Sequence, residues 1–454
     1  MAARPQAYRP ETAILTLGDV FYDPVEAADF PQTILRFRND RAAAEVGLDG
    51  LSDAEWIAHF GRFAPLDGSL PQPLALRYHG HQFRSYNPEI GDGRGFLFAQ
   101  MRDSGDRLMD LGTKGSGQTP YSRFGDGRLT LKGGVREILA TEMLEALGVP
   151  TSRTFSLIET GEALERNDEP SPTRGAVLVR LSHSHIRIGT FQRLAYHRDE
   201  AGLSALTAYV LRSLYGEEPG DDAPVRLLDL VVDRTATLAA RYMAAGFVHG
   251  VLNSDNINVT GESFDYGPWR FTPTWDPAFT AAYFDHAGLY AFGRQPEAIH
   301  WDAMQLAVSL RPICDAEPLI AALDTFGERY QRAVSDAILW RLGVNPRDAE
   351  SDRALVQTIE PLLRGTATGI NRFFFDAFGG VLPDHYGEEW SAARDAIAAY
   401  APRKDRSHPY WSGAPCSMLI DEVETLWSAI DERDDWQPLY DKIAVIRVMG
   451  EALA

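Results

Sequence analysis

Apolar residues recur in short strand-like runs between residues 74 and 191 and at helical spacing beyond Leu203. The runs 95–101 and 107–112 flank a Ser104-Gly105-Asp106 turn and predict a pair of strands. Residues 154–160 predict another strand, and 176–181 is nearly continuously apolar, the pattern of a buried one. Amid these strands Val135, Ile138, Leu139, Met143, Leu144 and Leu147 share one helical face, so 134–147 predicts a helix stopped by Gly148. Upstream, 53–60 reads as a capped helix, and Pro65, Pro71 and Pro73 mark a boundary. Downstream, 227–245 is long, amphipathic and ends at Gly246. Further helices are predicted at 302–310, 318–340, 352–366, 370–378, 390–400 and 419–431, ahead of the tail. The pattern is α+β: a small strand-rich lobe with one helix, then a larger helical lobe with an extra helical C-terminal segment. It divides the chain into an N-terminal extension packing on the lobes (1–73), a strand-rich lobe (74–191), a helical lobe (192–400) and a helical C-terminal extension (401–454).

Composition narrows the class. The 454 residues are 44% hydrophobic and 24% charged, as in an ordinary globular protein. A formal net charge of -20 argues against general nucleic-acid binding, which needs a basic footprint. Two distant cysteines, Cys314 and Cys416, supply neither a disulfide framework nor a cysteine zinc site. No apolar run approaches the ~20 residues that span a bilayer, and the first residues lack the apolar core of a signal peptide. The expectation is a cytoplasmic protein without nucleic-acid or membrane partners.

Candidate chemistry concentrates in 246–269, where Asp255-Asn256 and Asp265 sit at two tight turns. An amide and two acids so placed offer hard oxygen ligands to a divalent cation, or a base to an attacking hydroxyl. Read alone, the stretch is equally an ordinary Asn/Asp-rich turn. Protein kinases use a loop aspartate as base, a nearby asparagine on metal and a later Asp-aromatic-Gly on metal, here matched by Asp265-Tyr266-Gly267. Upstream, Gly91, Gly93 and Gly95 let backbone approach a phosphate, with Arg94 supplying charge. Lys114 ends a strand among small residues, and Glu137 opens the following helix: a strand lysine and a helix glutamate, again in kinase order. Arg180 and Arg187 flank a histidine-rich segment and suit a polyphosphate. His79, His81, His183 and His185 read as structural, and His249 as a brace for the loop behind it. The whole order is the bilobal plan of a protein kinase.

These residues carry a more specific resemblance. Gly80-His81-Gln82-Phe83 with 87–94, the blocks 114–123 and 125–128, Arg136-Glu137, 179–191, 249–256, 265–268 and Asp276-Pro277 resemble the selenoprotein O family of pseudokinase-fold protein adenylyltransferases. The resemblance spans about 75–295 and implies a kinase fold that binds ATP in an inverted orientation. It implies transfer of AMP to Ser, Thr or Tyr hydroxyls of protein substrates, with Mg²⁺ or Mn²⁺ as cofactor and diphosphate released. By position, Asp255 is then the base, Asn256 and Asp265 hold the metal, and Lys114, Arg180 and Arg187 grip phosphates, with Glu137 orienting Lys114. Gly91, Gly93, Arg94, Asp126 and Gly127 complete the implied nucleotide contacts. Adjacency of Asn256 to Asp255, where a kinase loop spaces its asparagine further on, favours this over an orthodox kinase; a kinase and a silent nucleotide-binding scaffold are the alternatives. Phe124 stands where the family commonly has a second arginine, Gly133-Gly134 replaces a usual serine pair, and the tail lacks the family's redox residue.

Overall fold

The computed structural model describes residues 7–167 and 169–454. Nine strands among these residues form one sheet, paired antiparallel throughout. Its main path runs Tyr22–Pro24, Leu74–Leu76, Leu97–Arg102, Leu108–Lys114, Thr173–Ser182, Arg153–Leu164, Ile34–Arg38. The predicted strands therefore form: 154–160 and 176–181 are extended at both ends, whereas 95–101 and 107–112 are shifted, as Leu97–Arg102 and Leu108–Lys114. Strands from the first 73 residues join the same sheet, because Ile34–Arg38 pairs with Arg153–Leu164 and Tyr22–Pro24 with Leu74–Leu76.

Alternation gives the two sheet faces different duties. Val177, Val179, Leu181, Met109 and Leu111 bury one face against Trp56, Phe60 and Phe63. Trp56 opens onto this core from helix Asp53–Phe60, whose Ser52 and Glu55 form a reciprocal cap. It stacks on Phe155 at 4.9 Å and donates its indole N–H to Ser156 Oγ at 2.9 Å. The opposite face carries Leu178, Arg180, Gly112 and Lys114, and receives helix Leu131–Ala146. That helix begins three residues before its predicted start, since Thr130 Oγ1 accepts from Gly133 N at 3.1 Å and fixes the first turn. Gly134 lets it approach the sheet: a Cβ there would meet Leu157 Cδ1 at 2.3 Å.

The remainder is helical. Ala223–Ala245 is buried along most of its length and stops at Gly246, a left-handed cap at φ +68°. The predicted helix 302–310 starts earlier, as Gln295–Leu310, with Pro296 in its first turn. The predicted 318–340 is two helices, Ala316–Asp324 and Phe326–Leu342. Thr325 interrupts them, its hydroxyl bonding Ala322 O at 2.7 Å in competition with the helical ladder. Helices also form at Ala349–Gly365, Ile370–Ala377, Ser391–Ala398 and Ile420–Arg433. A further one, Gln437–Leu453, occupies what the sequence reading left as tail. It packs on Leu131–Ala146, where Arg447 makes a fork with the buried Glu142 at 2.8 and 2.6 Å. No helix of the described residues is long and apolar enough to cross a membrane.

Candidate active site

A cleft of about 810 Å³ lies between the Lys114 and Arg180 strands and the loops carrying Asp255 and Asp265. Gly91, Gly93, Arg94, Lys114, Asp126, Gly127, Arg180, Arg187, Asp255, Asn256 and Asp265 all line it. Glu137 stands behind, accepting a hydrogen bond from Lys114 Nζ with both side chains buried. Sheet register explains the cation cluster. Lys114 lies opposite Leu178 and Arg180 opposite Gly112, so lysine and arginine emerge on one face. Gly112 between them leaves space for His185, whose Nε2 accepts from Arg180 Nε at 3.1 Å; a Cβ at 112 would come within 2.2 Å of that nitrogen.

The cations converge on Asp265, which adopts a left-handed φ of +60°. Arg180 Nη1 donates to its Oδ1 at 2.5 Å and Arg187 Nη1 to its Oδ2 at 3.2 Å, with Lys114 Nζ at 3.9 Å. Burial pushes the Asp265 carboxyl upward, but these three cations outweigh it and hold it well below the usual carboxylate range. Arg187 is itself fixed, its guanidinium 4.2 Å over the Tyr78 ring and 4.8 Å over Phe264. It also donates to the Asp255 backbone carbonyl at 3.0 Å and faces Asp92 at 3.6 Å.

Asp255 has the opposite character. Burial raises its carboxyl to about 7, against the pull of Arg187, and its buried Oδ1 has no hydrogen-bond partner. The loop around it is held from several sides. Ser254 Oγ accepts from His81 N at 2.7 Å, and Asn253 Oδ1 accepts from Phe83 N at 3.0 Å and Tyr290 OH at 2.8 Å. His249, fully buried, bonds Phe264 O through Nε2 at 2.9 Å and so ties this loop to the residue before Asp265. That is the brace expected from the sequence.

The donor set fits a hard divalent cation. Asn256 Nδ2 donates to Val251 O at 2.9 Å, which leaves its side-chain oxygen an acceptor in the cleft that the unpartnered Asp255 Oδ1 and Asp265 also line. No group of three His, Cys, Asp or Glu among the described residues makes a self-sufficient metal cage. A Mg²⁺-type site completed by phosphate oxygens and water needs only one or two protein carboxylates.

At the mouth, Asp126 forms an ion pair with Arg166 at 2.8 Å and accepts from Arg128 N at 2.9 Å, shaping the loop rather than joining the cation cluster. Gly127 follows at φ +70°, where a Cβ would meet the Gly117 carbonyl carbon at 2.3 Å. Phe124 is fully exposed. Asp92, Tyr78, Asn253 and Arg166 line the cleft without having been singled out in the sequence. Asp92 stands between Gly91 and Gly93, and the half-buried carboxylate it sets 3.6 Å from Arg187 gives it weight.

Comparison with known proteins places the chain in a family. The family model "Protein adenylyltransferase SelO" matches residues 6–398. A protein nucleotidyltransferase YdiU of Synechocystis is 43% identical, over 95% of this chain and 96% of its own. Its counterparts in Synechococcus elongatus and Gloeobacter violaceus are each 44% identical, over 94% and 96% of this chain and 93% and 94% of theirs. The chain thus belongs to the SelO family of protein adenylyltransferases.

Proposed function

We propose that this chain transfers AMP from ATP to Ser, Thr or Tyr hydroxyls of proteins and releases diphosphate. The observation that carries this is the joint placement of two unlike carboxylates: Asp255, raised to about 7 and free at Oδ1, and Asp265, held ionised among Lys114, Arg180 and Arg187. Paired acids with separated affinities for protons mark an acid–base assignment.

Asp255 accepts the proton of the acceptor hydroxyl as its oxygen bonds the α-phosphorus and the bond to the β-phosphate oxygen breaks. Lys114, Arg180 and Arg187 neutralise the departing diphosphate, more charge than a single lysine could offset. All three are buried, whereas Asp126 and its loop stand at the exposed mouth, which supports a nucleotide with its phosphates innermost. Asn256 and Asp265 would hold Mg²⁺ or Mn²⁺, which supplies charge neutralisation at the phosphates. Glu137 keeps Lys114 pointed into the cleft. The order of strand lysine, helix glutamate, loop aspartate and second aspartate supports a two-lobed, kinase-like architecture with the strand-rich lobe near 74–191 and the helical lobe near 192–400.

The test uses ATP labelled at the α- or the γ-phosphate, with the parent chain, Asp255→Ala and Asp265→Ala. Label entering protein from the α-position alone, and lost in both variants, supports the assignment. Label from the γ-position alone makes the chain a kinase and overturns it.

A further inference from the structure

The cleft has a second rim, formed where Gln82 and Asn253 line it. Beyond them lies an aromatic surface. The Phe83 ring is 5.7 Å from Phe284 and 5.0 Å from Tyr290, and Phe284 is 5.1 Å from Tyr283. Tyr283 is 80% exposed and Phe284 42%, an adjacent pair of aromatic rings open to a partner. These rings stand on fixed backbone. Buried Asp285 accepts from Leu289 N and Tyr290 N, both at 2.8 Å, and pins the loop beneath the pair. Phe83 and Arg84 both take left-handed φ values, +50° and +63°, at a hairpin tip where glycine or asparagine is the usual occupant. Non-glycine residues held so by contacts to a catalytic loop are characteristic of a working surface. Phe83 N and Tyr290 OH converge on Asn253 Oδ1, two residues from Asp255, so the aromatic rim and the base share one support.

We propose that Phe83, Tyr283 and Phe284 form the docking surface for the acceptor protein, seating an apolar side chain that flanks the target hydroxyl. The assignment rests on the transferase reading above and deepens it. Its occupant follows from continuity: Phe83 follows Gln82, which lines the cleft, and its N–H is held by Asn253, which lines the cleft two residues before Asp255, while the cations and the 123–128 loop occupy the nucleotide side. Arg84, paired with Glu297 at 3.0 Å, edges the surface with charge.

Short synthetic peptides bearing one tyrosine, flanked by leucine or by aspartate, serve as acceptors with α-labelled ATP. The parent chain is expected to favour the leucine peptide. Tyr283→Ala/Phe284→Ala should raise KM for that peptide ~10-fold, the scale of losing an aromatic anchor. Its KM for ATP and its kcat should stay within about twofold, because neither ring touches the nucleotide side. Phe284→Leu should recover most of the loss. An active double variant with unchanged peptide KM, or a parent indifferent to the flanking residue, overturns the docking surface alone. A Phe284→Ala variant of smaller solution mass than the parent, with peptide kinetics unchanged, overturns the docking surface and makes it a contact between copies instead. A parent that transfers no α-label to peptide or to itself defeats the transferase reading.

Discussion

Gly80 lies against Asp255 so closely that a Cβ at position 80 would come within 2.6 Å of Asp255 Oδ1. The three atoms nearest to a methyl group there all belong to Asp255, so it is this side chain that must move. Gly80→Ala is expected to cut α-label transfer on the order of 100-fold, the usual consequence of misplacing a reacting group by about 1 Å. Thermal unfolding of the variant should stay within a few degrees of the parent. Full activity in Gly80→Ala would show that the Asp255 carboxylate has no fixed working position.

Asp255 links activity to pH and sets it against stability. Its carboxyl is raised to about 7 by burial, so transfer should rise as pH passes upward through that region and level off above it. Stability runs the other way. The folded chain holds this proton more tightly than the unfolded chain, so stability declines between the ordinary aspartate value and about 7, then flattens. Asp255→Asn should abolish transfer yet raise stability at pH 8, by up to about 4 kcal/mol for a shift of this size. Denaturant unfolding at pH 5 and pH 8 checks it: the gain should shrink at the lower pH.

Lys114 and Glu137 form a buried ion pair, with Asp265 a more distant second partner of the lysine at 3.9 Å. Glu137→Ala leaves a buried ammonium beside Arg180 and is expected to cost about 3–5 kcal/mol. Lys114→Met with Glu137→Leu removes both charges and should recover most of that stability. Transfer should remain lost in the double variant, since the phosphate cation is gone. Recovery of activity together with stability would assign the pair to folding alone.

Metal removal should stop transfer while leaving the fold intact, because the proposed ligands are already held by protein partners, Asn256 by Val251 O and Asp265 by Arg180 and Arg187. Asn256→Ala should raise the Mn²⁺ concentration for half-maximal activity ~10-fold or more, in the range of losing one metal ligand contact. Titration of activity against metal at fixed ATP distinguishes this from a loss in kcat.

The ordered set from Lys114 to Asp265 was legible because each residue type carries its own chemistry and the order matched a known plan. The burial that gives each its function was not. Asp255 and Asp265 are both aspartates in turns, and only the surrounding arginines and the empty hydrogen-bond position on Asp255 separate base from ligand. Asp92 and Tyr78 become part of the site only through Arg187, a partner far along the chain. Strand pairing is likewise non-local: nothing in Ile34–Arg38 announces that it will border Arg153–Leu164. The terminal helix is a different kind of miss. Leu439, Ile443, Ile446, Met449 and Leu453 already trace a helical stripe in the sequence, and all are buried in the fold.

The pairing of Leu108–Lys114 with Thr173–Ser182 limits how relatives of this chain can vary in length. Lys114 and Arg180 face the cleft only while Gly112 stands opposite Arg180. Deleting or inserting one residue within either strand would send Arg180 or Lys114 toward the Trp56 side, and bring Val179 or Leu181 in place of Arg180, or Thr113 or Gly115 in place of Lys114, to the phosphates. Indels should therefore be absent from both strands across the family and gather in the connection between Leu164 and Thr173. The alignment gaps of this family would trace the site's geometry without reference to a single catalytic residue.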